Sequence, residues 1–430
     1  MNIDCRRGSR ALFAGLGCVM LALAQNNDAV KAFVGARVID GTGKPAIEKA
    51  TLIVRNGKID AVGASVKAPR GAQVIDVSGK TIMPGMINAH GHVGETRGLK
   101  ASAENYNRDN ILSQLGVYSR YGVTTVLALG SDLKPAFDIR DEQNTPQLSR
   151  ARLYVAGVII TGTTPEQTRK MVAEVAETKP DILKVRVDDN LGTGKKMPPA
   201  AYKALIDEAH KKGLRVAVHM FYLDDAKDLV NSGTDMLAHS VRDLDVDSEL
   251  IALLKKNNVY YCPTLMREVS TFVYESIPSF FSDPFFLREV GKPIIDELSD
   301  PKRQETVRNS KSAQRYKLAL DQASRNLKKL SDAGVSIVMG TDSGIPARFQ
   351  GYFEHMELEL MSKAGLTPMQ ILVSATGDAA KFLKLSGKIG SIQPGAWADL
   401  VVLNSNPLND IRNTRTIDSV WIAGNRVQRP

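Results

Sequence analysis

Eight short apolar runs follow one another through the middle of this chain, and they limit what it can fold into. In order they are MPGMINAHGHV, GVTTVLALG, RLYVAGVII, DILKVRV, RVAVHMF, DMLAHSV, VYYCPTL and VSIVMGTDS. Helical stretches such as PAAYKALIDEAHKKG and DSELIALLKKN lie between most of them. Strands that alternate with helices make a parallel sheet in an α/β fold. Eight such units predict a TIM (β/α)8 barrel rather than an open doubly wound sheet. No GxGxxG follows a strand, so a dinucleotide site has no support.

The two ends of the chain have a different texture. AFVGARVIDG, ATLIVRNGKIDAVG and AQVIDVSGKTIMPG alternate β-branched and polar residues, and Asn56-Gly57 is a hairpin turn signal. GKIGSIQPGAWADLVVLN and SVWIAGNRVQ repeat that texture near the C-terminus. Both ends are therefore expected to build one small β-sandwich domain, from residues 25–82 and 387–430, around a barrel of residues 83–386. Between the seventh and eighth runs lies a charged and aromatic insert, about Arg267 to Ser324, expected to be helical and to sit over the active site as a lid.

Arg6, Arg7 and Arg10 precede the apolar run ALFAGLGCVMLALA, which closes on Ala22-Leu23-Ala24. That is the layout of a secretory signal peptide, residues 1–24, with cleavage expected after Ala24 and a periplasmic or secreted product. A lipoprotein cut before Cys18 and a retained anchor are the alternatives, although the run is short for a membrane span. Removal takes Cys5 and Cys18 away and leaves Cys262 alone, which rules out an intramolecular disulfide. The formal charge of +9 is scattered, with no Lys/Arg block and no basic motif interleaved with aromatics. A solvated basic surface fits this better than a nucleic-acid partner. The expected partner is a small-molecule substrate, with no stable membrane anchor after cleavage. Oligomeric state stays open, a homo-oligomer included.

A TIM barrel carries its chemistry at the C-terminal ends of its strands. The first run ends in His90 and His92, the fifth in His219, the sixth in His239 and the eighth in Asp342, while Lys184 lies in the fourth. Four of the six histidines thus fall at expected strand ends. Residues i and i+2 of a strand point to one side, so His90 and His92 form either a metal clamp or two incidental imidazoles. Alternation places Ile182, Lys184, Arg186 and Asp188 on one face of the fourth strand and Leu183, Val185 and Val187 on the other. Arg186 is a candidate for gripping a substrate carboxylate, or an ion-pair partner of Asp188 or Asp189. Tyr261 and Arg348 are further pocket candidates. His355, in FEHMELEL, either touches substrate or takes a packing or solvent role, and His210, in DEAHKKG, reads as a surface residue.

PGMINAHGH, the Lys of DILKV, the His of RVAVH, the His of GTDMLAHS, GTDSG and the closing GSIQPGAWADLVVLN occur in this order. The set resembles the amidohydrolase superfamily of metal-dependent hydrolases over nearly the whole chain after residue 24. ELELMSKAGLTPMQILVSAT is similar to the closing helices of its imidazolonepropionase, prolidase and metallo-carboxypeptidase-like branch. The resemblance implies hydrolysis of an amide-type C–N bond. His90 and His92 would bind one metal with Asp342, and His219 and His239 a second. Lys184 would bridge them as a carbamate formed with CO2; in the alternative it pairs with Asp188 and the centre holds one metal. Such donors suit Zn2+, with Mn2+, Fe2+ or Co2+ also compatible. A hydroxide held by the metals would be the nucleophile, with Asp342 as general base and then acid.

Two departures from the family pattern stand out. Asn88 occupies a place where many members have Asp, which bears on metal affinity. VRVDDNLGTGKK replaces a short Thr-Gly-Gly-type loop, which bears on the substrate pocket. A mononuclear deaminase is an alternative, although VHMFYL lacks the Glu of a His-x-x-Glu helper; a lactone or ester hydrolase is another. A non-catalytic scaffold should have lost ligands, and none is lost.

Overall fold

The computed structural model describes residues 30–428. The expected signal peptide, with Cys5 and Cys18, lies outside the described residues. No helix among the described residues is long and apolar enough to cross a membrane.

The two chain ends meet in one sheet of eight strands. Its N-terminal strands are Lys31–Val38, Ile47–Arg55, Lys58–Gly63, Gln73–Asp76 and Thr81–Pro84; Leu400–Leu403, Ile417–Ile422 and Asn425–Arg426 complete it. Thr81–Pro84 runs antiparallel to Leu400–Leu403 and joins the two halves. The Asn56-Gly57 turn forms as the sequence requires, with φ of +48° and +75°. Both values are left-handed, as a two-residue hairpin of this kind needs. Phe33, Leu52, Ile82, Leu400 and Trp421 pack into a core of this sheet. Among the described residues the two ends share this one sheet.

Seven of the eight central runs become strands in the expected order: Met86–Gly91, Val123–Ala128, Arg152–Val155, Leu183–Arg186, Val216–His219, Met236–Ala238 and Tyr260–Cys262. We call them strands one to seven. They form two parallel sheets, strands one to three and strands four to seven, and a parallel bridge between Ile160 and Val185 links the two. The eighth run forms no ladder. It meets strand seven at the Ile337–Tyr261 bridge and strand one at Ser343–Gly91. Two local features account for this. A Cβ at Gly340 would come within 2.5 Å of Cys262 Sγ and 2.8 Å of His90 Cβ, so the backbone approaches too closely for a regular pleat. Asp342 has φ +60°, which breaks extended backbone. The architecture is an α/β fold of TIM-barrel type.

The helices begin where the sequence offers caps. Asp247 accepts from the Leu250 N–H at the start of Ser248–Lys256, and Asn107 from the Asn110 N–H at the start of Arg108–Arg120. The insert is helical, as expected, with helices Leu265–Phe272, Lys292–Leu298, Pro301–Asn309 and Lys311–Asp332. Its last helix runs past the expected boundary at Ser324. Phe280, Phe281 and Phe286 of the insert pack with Tyr352 and Phe353 of helix Tyr352–Lys363 in one aromatic cluster.

The sheet of the chain ends is tied to strand three by a buried ion pair. Arg152 Nε lies 2.7 Å from Asp399 Oδ2, with side chains 0% and 2% exposed. The guanidinium also stacks over Trp397 at 4.6 Å. Arg152→Met leaves the Asp399 carboxylate buried without its partner, so a loss of about 3–5 kcal/mol is expected in urea unfolding. A loss under about 1 kcal/mol, the size of a surface change, would show that this pair is not a tether.

Candidate metal centre and active site

Six side chains singled out in the sequence converge at the C-terminal ends of the strands. The rings of His90 and His239 have centroids 4.7 Å apart, those of His219 and His239 4.2 Å, and those of His90 and His92 5.7 Å. Asp342 Oδ1 lies 2.8 Å from His92 Nε2 and 3.3 Å from His90 Nε2. Lys184 Nζ lies 3.0 Å from His90 Nε2. Two of these residues, His239 at φ +77° and Asp342 at φ +60°, have left-handed backbones. Non-glycine residues hold such angles at a cost, commonly where function requires the side chain to be aimed.

The donor set fits a divalent metal. Ligand atoms of His90, His92 and Asp342 all lie within 4.8 Å of one another. Outer partners fix the other imidazole nitrogens. His92 Nδ1 faces the Gly130 carbonyl at 3.3 Å, His219 Nε2 bonds Asp188 at 2.9 Å, and His239 Nδ1 bonds Thr264 Oγ1 at 2.6 Å. This leaves Nε2 of His239 and Nδ1 of His219 for a ligand. His90 Nδ1 is buried with no hydrogen-bond partner among the described residues.

Electrostatics favour the ligating forms. Burial depresses His90 and His239 well below the usual imidazole range, and the nearness of Lys184 and of the other imidazoles, any of which would repel a second proton, adds to it. Burial takes His219 to about 3, so these rings are neutral at pH 7. Burial lowers Lys184 to about 8, within reach of the neutral amine. Burial alone would raise the Asp342 carboxyl; the Arg348 guanidinium and the His90 and His92 rings outweigh it and hold it well below the usual range.

Several expectations are corrected here. Lys184 does not pair with Asp188: that carboxylate bonds His219 and, at 3.0 Å, Arg186 Nε. Arg186 is therefore engaged in the ion pair, although it borders a cavity of about 340 Å3 with Asp188, Asp189 and Lys196. Tyr261 is not a pocket residue. It is fully buried, and its hydroxyl accepts from the Val241 N–H at 2.8 Å. His355 is buried as well, with Nδ1 on Thr414 Oγ1 and Nε2 on the Tyr121 carbonyl, so neither nitrogen is open to a substrate. His210 is exposed and pairs with Asp235, as its charged surroundings suggest. Arg348 does reach the centre, where it forms an ion pair with Asp342.

Arg348 also lines a cavity of about 300 Å3. Thr96 and Arg97 after strand one, Val117 of the following helix, and Val290 and Ile294 of the insert form other walls. The insert thus contributes to a pocket beside the centre. Residues the sequence reading passed over are Glu354, Arg267 and Thr264. Glu354 is buried and accepts from Asn88 Nδ2 at 2.6 Å. Arg267 donates to Glu268 and to Tyr316 OH, each at 3.1 Å. The available signal for Glu354 was its place beside Phe353 and one turn before Leu358, on a face that also carries Met361.

The model of the amidohydrolase family matches residues 81–427. An uncharacterised protein of Mycobacterium tuberculosis is 24% identical over 383 residues, spanning 86% of this chain and 90% of that protein. The imidazolonepropionase of Streptomyces griseus is 22% identical over 410 residues, spanning 90% of this chain and 95% of that enzyme. Among solved structures, a Xaa-Pro dipeptidase with methionine bound in its active site has a TM-score of 0.75 at 21% identity, covering 93% of this chain and 99% of that one. The chain belongs to the amidohydrolase family and is an enzyme that acts on carbon–nitrogen bonds.

Proposed function

We propose that the chain is a metal-dependent hydrolase of an amide-type C–N bond in a small molecule: an N-acyl amino acid, a dipeptide or a cyclic amide. The observation that carries this is the gathering of His90, His92, His219, His239, Lys184 and Asp342 in one cluster, with at least three of the imidazoles neutral. His90, His92 and Asp342 would hold one ion, His219 and His239 a second, and a CO2-derived carbamate on Lys184 would supply oxygens to both. Bound Zn2+, or another ion of that kind, supplies Lewis acidity and lowers the pKa of water toward neutrality.

The protein's own groups do the rest. Asp342, kept ionised by Arg348, accepts the proton of the attacking water and hands it to the departing nitrogen. Asp188 and Thr264 orient the His219 and His239 rings. The cavity beside Arg348 takes the substrate, and Arg348 meets its carboxylate. Closure of strands one to seven and the eighth run into a full barrel, over residues 83–386, is part of this reading; so are the division at 82 and 387, removal of residues 1–24 and a periplasmic or secreted location.

A single-ion enzyme, including a deaminase, is the second reading. The observation in its favour is that His90, His92 and Asp342 form the one group of metal-ligating spacing among the described residues. Metal analysis and a hydrolysis screen against N-acyl amino acids, dipeptides, lactams and lactones separate the readings. Two ions per chain with amide cleavage are expected. One ion with ammonia release points to the deaminase, and lactone-only turnover to an esterase. Undiminished amide cleavage by metal-free protein would sink both metal readings.

A further inference from the structure

The eighth run meets strand one at the bridge Ser343–Gly91 and through backbone hydrogen bonds, Asp342 N–H to the His90 carbonyl at 2.7 Å and His92 N–H to the Ser343 carbonyl at 2.7 Å. A buried carboxylate oxygen adds a side-chain tie between the same two segments. Glu354 Oε1 accepts from Asn88 Nδ2 at 2.6 Å, from Thr341 Oγ1 at 2.8 Å and from Ser343 Oγ at 2.6 Å. All four side chains are fully buried. Asn88 lies two residues before His90, and its Oδ1 accepts from the His90 N–H at 2.9 Å. Thr341 and Ser343 flank Asp342. Thr341 Oγ1 also accepts from Asn88 Nδ2 at 3.0 Å and from the Ser343 N–H at 3.1 Å, which closes the network around both ligand-bearing segments.

Asn88 has to be an amide for this to work. It accepts through its oxygen and donates through its nitrogen at once; an acid in its place would lose that N–H donor and set two carboxyls at hydrogen-bond distance, competing for one proton. Glu354 itself touches none of the proposed ligands.

We propose that Glu354, acting through Asn88, Thr341 and Ser343, is a positioning residue that holds the segments bearing His90 and Asp342 in their ligating arrangement and so tunes the metal affinity of the centre. This rests on the metal-centre reading above.

The test is chelator competition for Zn2+ and Co2+ on the full chain, with the Co2+ visible spectrum and the melting temperature of the metal-free protein recorded for every variant. Glu354→Gln is expected to weaken metal retention by about 10–100-fold, and Asn88→Asp similarly, the scale on which partners of metal ligands act. In the double variant Asn88→Asp/Glu354→Gln a donor and an acceptor face each other again, and the losses should partly cancel, a coupling that independent sites do not show. The Co2+ spectrum shifts in the single variants and moves back in the double. Thr341→Val removes one donor with little change in volume and should weaken retention by several-fold; it decides the matter if Glu354→Gln does not fold. Wild-type affinity in Glu354→Gln and Thr341→Val, or losses that multiply in the double variant, would overturn the proposal alone. A wild-type chain that binds neither ion overturns the metal-centre reading and this proposal with it.

Discussion

Asp342→Asn is expected to lower kcat/KM for amide cleavage by about 10²–10⁴-fold, the range that a lost general base and acid costs. Asparagine keeps the volume and one oxygen, so it can still place an oxygen beside His92 Nε2, which lies 2.8 Å from Asp342 Oδ1 in the native chain. It cannot take up the proton of the attacking water, and it leaves Arg348 without its carboxylate. Metal content measured on the same sample divides the two roles of this residue. Turnover lost with metal retained assigns the proton transfer to Asp342; turnover lost together with metal assigns it chiefly to ligation. Native turnover in Asp342→Asn would remove it from the site altogether.

The second large effect is on stability in acid. Burial keeps His90, His219 and His239 neutral in the folded chain, with His219 at about 3. In the unfolded chain each imidazole takes a proton below about 6.5. The stability each contributes is therefore present above pH 6.5 and is lost as pH falls toward the folded value. Between pH 7 and pH 5 that loss is about 2 kcal/mol per imidazole. Buried acids act with the opposite sign. Burial raises Glu357 to about 8, which favours the folded state as pH falls toward the ordinary carboxylate range. A comparison with a variant isolates the imidazole. In urea unfolding of the metal-free proteins, the advantage of wild type over His239→Gln should shrink by about 2 kcal/mol from pH 7 to pH 5. A constant difference would mean that His239 takes up its proton as readily when folded as when unfolded.

The strand order was legible because each apolar run had the length and the spacing of a parallel strand. The lapse at the eighth run was not, since VSIVMGTDS reads as well as its neighbours. What stops its ladder is the close approach at Gly340 and the left-handed Asp342, and both depend on strand one lying alongside. The ligand candidates were legible because histidines are few and those in the cluster stand at strand ends. Tyr261 was misread because alternation says which side of a strand a residue leaves from, not whether a backbone N–H three residues beyond strand six waits for its hydroxyl. His355 was misread for a similar reason: its partners, Thr414 and Tyr121, are far away in sequence. Glu354 escaped notice because acids in a helix ordinarily face water. Only the packing of Asn88, Thr341 and Ser343 against it turns that position inward.

The aromatic cluster that joins the insert to helix Tyr352–Lys363 has a consequence for anyone remodelling specificity. The insert supplies Val290 and Ile294 to the cavity wall, which makes it the natural segment to transplant between relatives. Yet Phe280 and Phe286 rest on Tyr352, two residues before Glu354, at ring distances of 5.6 Å and 5.0 Å. The segment is therefore not a cassette. A graft that trades these aromatics along with the pocket lining would also disturb the floor beneath His90 and Asp342. A transplant confined to residues 290–294 would change the wall and keep Phe280 and Phe286 on Tyr352, although Val290 and Ile294 themselves border the cluster.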